Sequence, residues 1–178
     1  MKKLLLVIPL VILLCFTFGC QNQEAMAELE EFRAQAEVEE QNKALVQKLI
    51  EEADKGNFSI MDELYAPDFE YYAPSNAEPR NLEECKQFLV PIFTALQLKH
   101  TLDDFILEGD KVVTRETLYA THKEELFGIP PTGKDIEWSA IAIYQIVDSK
   151  IKKIWVDSDM LGIMQQLGME LKPKEGEK

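Results

Sequence analysis

DIEWSAIAIYQIV-DSK-IKKIWVD, residues 135–157, carries the argument for the fold. Ile136, Trp138, Ala140, Ala142, Tyr144 and Ile146 fall on alternate positions, the period of a strand with one buried face. Ile141, Ile143 and Val147 occupy the other face, so this strand is apolar on both sides. Asp148-Ser149-Lys150 is a turn, and residues 151–157 return as the second arm of a hairpin. A sheet apolar on both faces packs helices on one side and something else on the other. Where such a sheet curves strongly, the second side can be a closed pocket.

Upstream, residues 100–108 and 111–122 form another hairpin across Gly109-Asp110. Residues 69–72 begin an earlier, aromatic-rich strand. Leu45, Val46, Leu49, Ile50 and Ala53 mark one face of an amphipathic helix that stops at Lys55-Gly56-Asn57. Ser59 is placed to cap a short helix containing Ile60, Met61 and Leu64. Asn81 and Glu84 have capping-box spacing ahead of a longer helix. Its apolar stripe runs from Leu82 through Cys85, Phe88, Leu89, Ile92 and Phe93 to Leu96, and Pro91 is expected to kink or split it. Cys85 lies on that stripe and reads as a core filler. Met160, Leu161, Met164 and Leu167 mark a last short helix. The expected class is α+β, a curved antiparallel sheet wrapped around helices and enclosing one pocket.

The chain has 178 residues, 19 Lys+Arg against 32 Asp+Glu, and a formal net charge of −13. An apolar share of 46% argues against disorder. The acidic balance argues against nucleic acid as a partner, because phosphate contacts need clustered Lys and Arg. No two of the three Cys and two His have zinc-ligand spacing, so no metal site is implied.

The amino terminus reads as an address. Lys2 and Lys3 precede the apolar run 4–18, which is short of the about 20 residues a spanning helix needs. Gly19-Cys20 then resembles the bacterial lipoprotein processing site, although Thr17 stands where Leu is usual. That resemblance implies a signal peptide over 1–19 and lipidation of Cys20, for example with palmitate. The protein would then be anchored at the bacterial cell envelope, on the outer membrane where the host has one. An ordinary cleaved signal is the alternative. Removing residues 1–19 takes two Lys and carries the charge from −13 to −15, so attachment would come from acyl chains, not from a basic face. Residues 20–40 hold the lipidated Cys and an acidic spacer, helical or disordered, with seven Glu and one Arg. The domain occupies 41–168, and 169–178 is a polar tail.

Four stretches carry a second resemblance. NKALVQKLIEEADKGN…DELYAPDF (42–69), EGDKVVTR (108–115), THKEELFGIPPTGK (121–134) and IKKIWVDSDMLGIMQQLG (151–168) resemble, in order and spacing, the SnoaL-like polyketide cyclase and ester cyclase family. The family belongs to the nuclear transport factor 2-like superfamily, which implies an α+β cone around one pocket. It also implies cofactor-free acid/base chemistry by an Asp, and the matching residue here is Asp159. His122 stands where the family often has His. The family's early strand often carries Asp-His, where this chain reads Glu70-Tyr71-Tyr72.

Trp155, Asp157 and Asp159 share one face if the strand runs on. A carboxylate at an apolar pocket mouth can move a proton to or from a carbon acid. Asp159 is equally suited to capping the last helix. His122 can orient a carbonyl or pair with the Asp. Tyr71 and Trp138 are the expected pocket aromatics, with Tyr72 and Tyr144 beside them; Trp155 and Asp157 complete the candidate substrate-binding set. His100 is expected to be exposed. Gly128-Ile-Pro-Pro-Thr-Gly-Lys134 has phosphate-loop spacing, but Asp135 follows where Ser or Thr is needed and two prolines lack amides. It reads as a hairpin loop. Three functions remain open. The first is an anchored cyclase or isomerase acting on a small apolar carbonyl compound. The second is a non-catalytic binder of a small apolar ligand. The third is an interaction module that pairs as a homodimer.

Overall fold

The computed structural model describes residues 4–73, 78–126, 128–170 and 172, with side chains from residue 23 onward. Residues 1–3 and the side chains of the leader over 1–19 and of Cys20 therefore lie outside the described residues, as does most of the tail. The elements are α1 (Leu4–Asp54), α2 (Ile60–Leu64), β1 (Tyr65–Tyr72), α3 (Leu82–Leu96), β2 (Lys99–Glu108), β3 (Lys111–Thr121), β4 (Asp135–Val147), β5 (Lys150–Ser158) and α4 (Met160–Gln166). The chain divides into two compact units, Met1–Val38 and Glu39–Lys178. The first is helical, and its Met26, Leu29 and Phe32 are exposed, too sparse for a buried stripe. Among the described residues, no helix is long and apolar enough to cross a membrane.

The second unit is an α+β fold built on a five-stranded sheet in the order β1-β5-β4-β3-β2. Strands β2 to β5 pair antiparallel through consecutive hairpins, as their short loops require. Asp148 and Ser149 both have positive φ, the backbone a two-residue hairpin needs to match strand twist. β1 differs from the all-antiparallel expectation, since it joins β5 in parallel and makes the sheet mixed. A long connection through α3 and three strands separates the pair, so no tight turn dictates their direction.

Two irregularities decide which side chains face inward. In β5, Gln145 pairs with Lys153 but Ile146 pairs with Ile151, so β5 carries one extra residue, Lys152. Ile151 and Ile154 are therefore both buried, and Val156 and Ser158 follow on the inner face. In β2, the shift between Leu102 and Asp104 leaves Asp103 and Asp104 both exposed, and Arg115 bonds to both.

α3 is one continuous helix across Pro91, not two pieces. Pro91 sits on its exposed side, and the helix loses one amide donor there without ending. Both arms of the capping box are made: Glu84 N donates to Asn81 Oδ1, and Asn81 N donates to Glu84 Oε2, each at 3.0 Å. Ser59 does not cap α2. Its backbone is already helical, and its hydroxyl donates to Asn57 instead. Asn81→Ala is accordingly expected to cost about 1 kcal/mol of unfolding free energy. Ser59→Ala is expected to cost well under half of that. Urea denaturation of the two variants decides it, and equal losses would contradict the capping assignment.

Candidate active site

The inner sheet face and the helices enclose a cavity of about 780 Å³. α3 supplies Phe88, Leu89, Ile92 and Phe93, which are only half buried because they face this space. α1 adds Leu49, Ile50 and Ala53, and α4 adds Ile163. The sheet side is built in cross-strand rows. Leu118 pairs with His100 and Trp138; Glu116 pairs with Leu102 and Ala140; Thr114 pairs with Phe105 and Ala142. Ala140 and Ala142 are the small residues of β4's inner face. Their missing volume leaves room above Glu116 and Thr114.

Glu116 is the buried acid of the cavity, 4% exposed. A carboxyl taken from water needs hydrogen-bond partners. Thr114 Oγ1 donates to its Oε1, and Tyr144 OH lies 3.5 Å from the same oxygen. Oε2 has no partner among the described residues, so it is the oxygen left for a ligand. Burial, and then the neighbouring Glu116, push the Tyr144 hydroxyl well above the usual phenol range, so it remains a donor. Tyr71 also lines the cavity, and burial pushes its hydroxyl up to about 12.

The sequence-derived candidates separate. Tyr71 and Trp138 line the cavity. Trp155 and Asp157 do share a face, but the extra residue in β5 turns it outward. There Trp155 stacks on Tyr72 at 5.4 Å, and its cross-strand partner is Ile143. Asp159 is exposed and caps α4, accepting from Gly162 N at 2.8 Å. A Cβ on Gly162 would lie 2.2 Å from that carboxylate, so the cap requires glycine. Asp159 is not among the cavity-lining residues. Beyond the end of β5, Gln166 takes over the edge of β4. Its amide accepts from Glu137 N at 3.0 Å and donates to Glu137 O at 2.7 Å. That pair of hydrogen bonds is the physical content of the terminal QQLG.

His122 is fully buried just past β3. Thr132 N donates to its Nδ1 at 3.2 Å, which places the ring hydrogen on Nε2. Nε2 has no partner among the described residues. With the backbone bonds from Gly133 and to Lys134, this histidine ties down the β3–β4 loop and does not line the cavity. β4, not a helix, follows that loop, as expected. His100 is not exposed: its ring is held by Asp54 and lines the cavity.

Glu116 and His100 are the residues that sequence reasoning missed. The signal for Glu116 was present, because Val112, Thr114, Glu116, Leu118 and Ala120 alternate on one face, and an acid in that series is anomalous. Among the described residues, no three His, Cys, Asp or Glu side chains are grouped to hold a metal ion.

Cys85 is buried against the core, and burial pushes its thiol up to about 12. Cys85 and Tyr71 both hold their protons more tightly folded than unfolded. The stability they contribute is therefore complete below about pH 8.5 and falls as pH rises toward 12. Urea midpoints between neutral and alkaline pH should show this loss, reduced in Cys85→Ala. A midpoint that rises with pH would contradict it.

A profile of SnoaL-like polyketide cyclases matches residues 43–167. AclR from Streptomyces galilaeus, a proposed hydroxylase, is similar in structure with a TM-score of 0.68 at 24% identity, over 73% of this chain and 97% of that one. IdmH from Streptomyces antibioticus, a proposed polyketide cyclase, superposes with a TM-score of 0.65 at 27% identity, over 72% and 99%. TsrD from Streptomyces laurentii gives 0.63 at 27%, over 72% and 95%. No functionally curated protein matches the chain significantly.

Proposed function

The chain belongs to the SnoaL-like polyketide cyclase family, and from that premise we propose that its cavity binds a small, largely apolar carbonyl compound and moves a proton on it through Glu116. One observation carries the reading: a buried carboxyl, with one oxygen unengaged, on a largely apolar wall. An apolar enclosure of this size suits a compact ligand with few polar groups. Thr114 and Tyr144 hold Oε1, which leaves Oε2 to exchange a proton with the ligand. Glu116 is preferred to Asp159 because the Asp159 carboxylate is spent on the α4 cap outside the cavity wall. The apolar lining excludes water and strengthens each polar contact inside.

The test is deuterium exchange of the α-hydrogens of 2-tetralone in heavy water, followed by proton NMR. The protein should accelerate exchange. Glu116→Gln, which keeps shape and hydrogen-bond acceptance, should lower the protein-dependent rate about 10²-fold, and Asp159→Asn should leave it near wild type. Loss in Asp159→Asn with none in Glu116→Gln would return the acid/base role to Asp159. Binding of 2-tetralone without exchange would favour a non-catalytic carrier.

We also propose export and lipid anchoring through Cys20, supported by the Lys2–Gly19 leader pattern. In a bacterial host fed alkyne-palmitate, the full chain should be labelled and sediment with membranes. Cys20→Ser should lose both properties, and retained label in that variant would refute the anchor.

A further inference from the structure

A second titratable pair sits at the same cavity, and the inference from it rests on the Glu116 reading for the place of reaction. His100 lies near the start of β2, with an inward side chain that lines the cavity. Asp54 ends α1. Asp54 Oδ1 lies 2.7 Å from His100 Nδ1, and Oδ2 accepts the His100 backbone N–H at 3.0 Å. The two side chains are 7% and 18% exposed. Phe93 flanks the imidazole, with ring centroids 5.5 Å apart. The ring is thus fixed by a carboxylate on one side and an aromatic on another.

We propose that His100 is the general base of the cavity and that Asp54 is its positioning residue. The carboxylate beside Nδ1 holds the ring hydrogen there and leaves Nε2 with the lone pair. Nε2 has no hydrogen-bond partner among the described residues. His100 pairs with Leu118, and Glu116 is two residues along β3 on the same inward face. Diagonal neighbours of this kind stand about 7–8 Å apart. That spacing lets one group serve a carbon and the other serve the oxygen of one small ketone.

In the step, Nε2 takes a hydrogen from the carbon beside the carbonyl. The C–H electron pair becomes the enol double bond, and the carbonyl π pair moves to oxygen, which takes a proton from the Glu116 carboxyl. Imidazolium, carboxylate and enol result, with protons conserved and no redox change. Reversal at a different carbon isomerises the compound. The substrate class is accordingly an enolisable, largely apolar ketone.

The same contacts also fasten the end of α1 to β2, helped by Lys99 Nζ, which donates to the Asp54 carbonyl. The experiment must therefore separate a base from a clamp. The probe is 5-nitrobenzisoxazole, applied to the full chain in detergent. Its ring hydrogen passes to the base, the C–H pair forms a nitrile, and the N–O bond breaks to release a phenolate. This elimination needs a base but no acid. The wild type should exceed buffer and free imidazole. His100→Gln should lower the protein-dependent rate about 10²-fold, and Asp54→Asn should lower it about tenfold. Lys99→Ala, which loosens only the clamp, should leave the rate unchanged. A wild-type rate no higher than buffer, full activity in His100→Gln, or equal losses in Lys99→Ala and Asp54→Asn would overturn the proposal. If Glu116→Gln abolishes elimination while His100→Gln keeps it, this proposal falls and the Glu116 reading stands. If His100→Gln abolishes elimination while Glu116→Gln keeps 2-tetralone exchange, the base stands and the Glu116 reading falls. Should His100→Gln unfold, acylation of the wild type with diethyl pyrocarbonate decides. Rate loss in step with His100 modification supports the base, and a retained rate refutes it.

Discussion

A carboxyl group held away from water sets the terms for this domain. Glu116 occupies a position in β3 where alternation calls for an apolar side chain, between Thr114 and Leu118. An unpartnered polar group there would cost several kcal/mol. Thr114 and Tyr144 meet that demand: Thr114 shares the face of Glu116 because it lies two residues away in β3, and Tyr144 reaches it because the β3–β4 register pairs Val112 with Tyr144. A one-residue slip would turn Glu116 to solvent and Arg115 inward. The polar pair and the strand register therefore constrain each other.

The helices complete the enclosure by attaching to strand ends. Asn42 and Glu39 of α1 bond to the Gly109 turn at one end of the β2–β3 hairpin, and Asp54 bonds to His100 at the other. α1 is pinned along the length of that hairpin, with Leu49, Ile50 and Ala53 facing the cavity between the pins. α4 closes a different corner, where Asp159 N bonds to Ser139 O and Gln166 continues the edge of β4 in place of a strand. The polar contacts lie at the rim and the apolar ones at the centre, so the middle remains free for a ligand.

Much of this was legible in the residues. The period-two pattern of β4 names its six inward residues, and four of them, Trp138, Ala140, Ala142 and Tyr144, line the cavity wall. The Asn81–Glu84 box and the core role of Cys85 were also readable. Other readings failed for identifiable reasons. Trp155 and Asp157 were placed on a common face, and they share one, yet hydrophobicity could not say which face because Ile141 and Ile143 make the outer side apolar too. Lys152, the extra residue in β5, reverses the phase between Ile151 and Trp155, and a bulge of this kind has no local signature in a run such as IKKIW. His100 looked exposed beside Lys99 because its partner, Asp54, lies 46 residues away in sequence.

The sequence by itself determined the element types, the hairpin pairings and the α+β class, since periodicity, turn chemistry and capping act over a few residues. It also determined the family, because loop and helix-end motifs such as the QQLG stretch are local. Only the tertiary structure decided which strand face looks inward, that Glu116 and His100 share one cavity, and that Asp159 stands outside it. Those outcomes depend on a single-residue bulge, on register across neighbouring strands and on the volume left by Ala140 and Ala142. Each is a property of packed neighbours, not of any one segment.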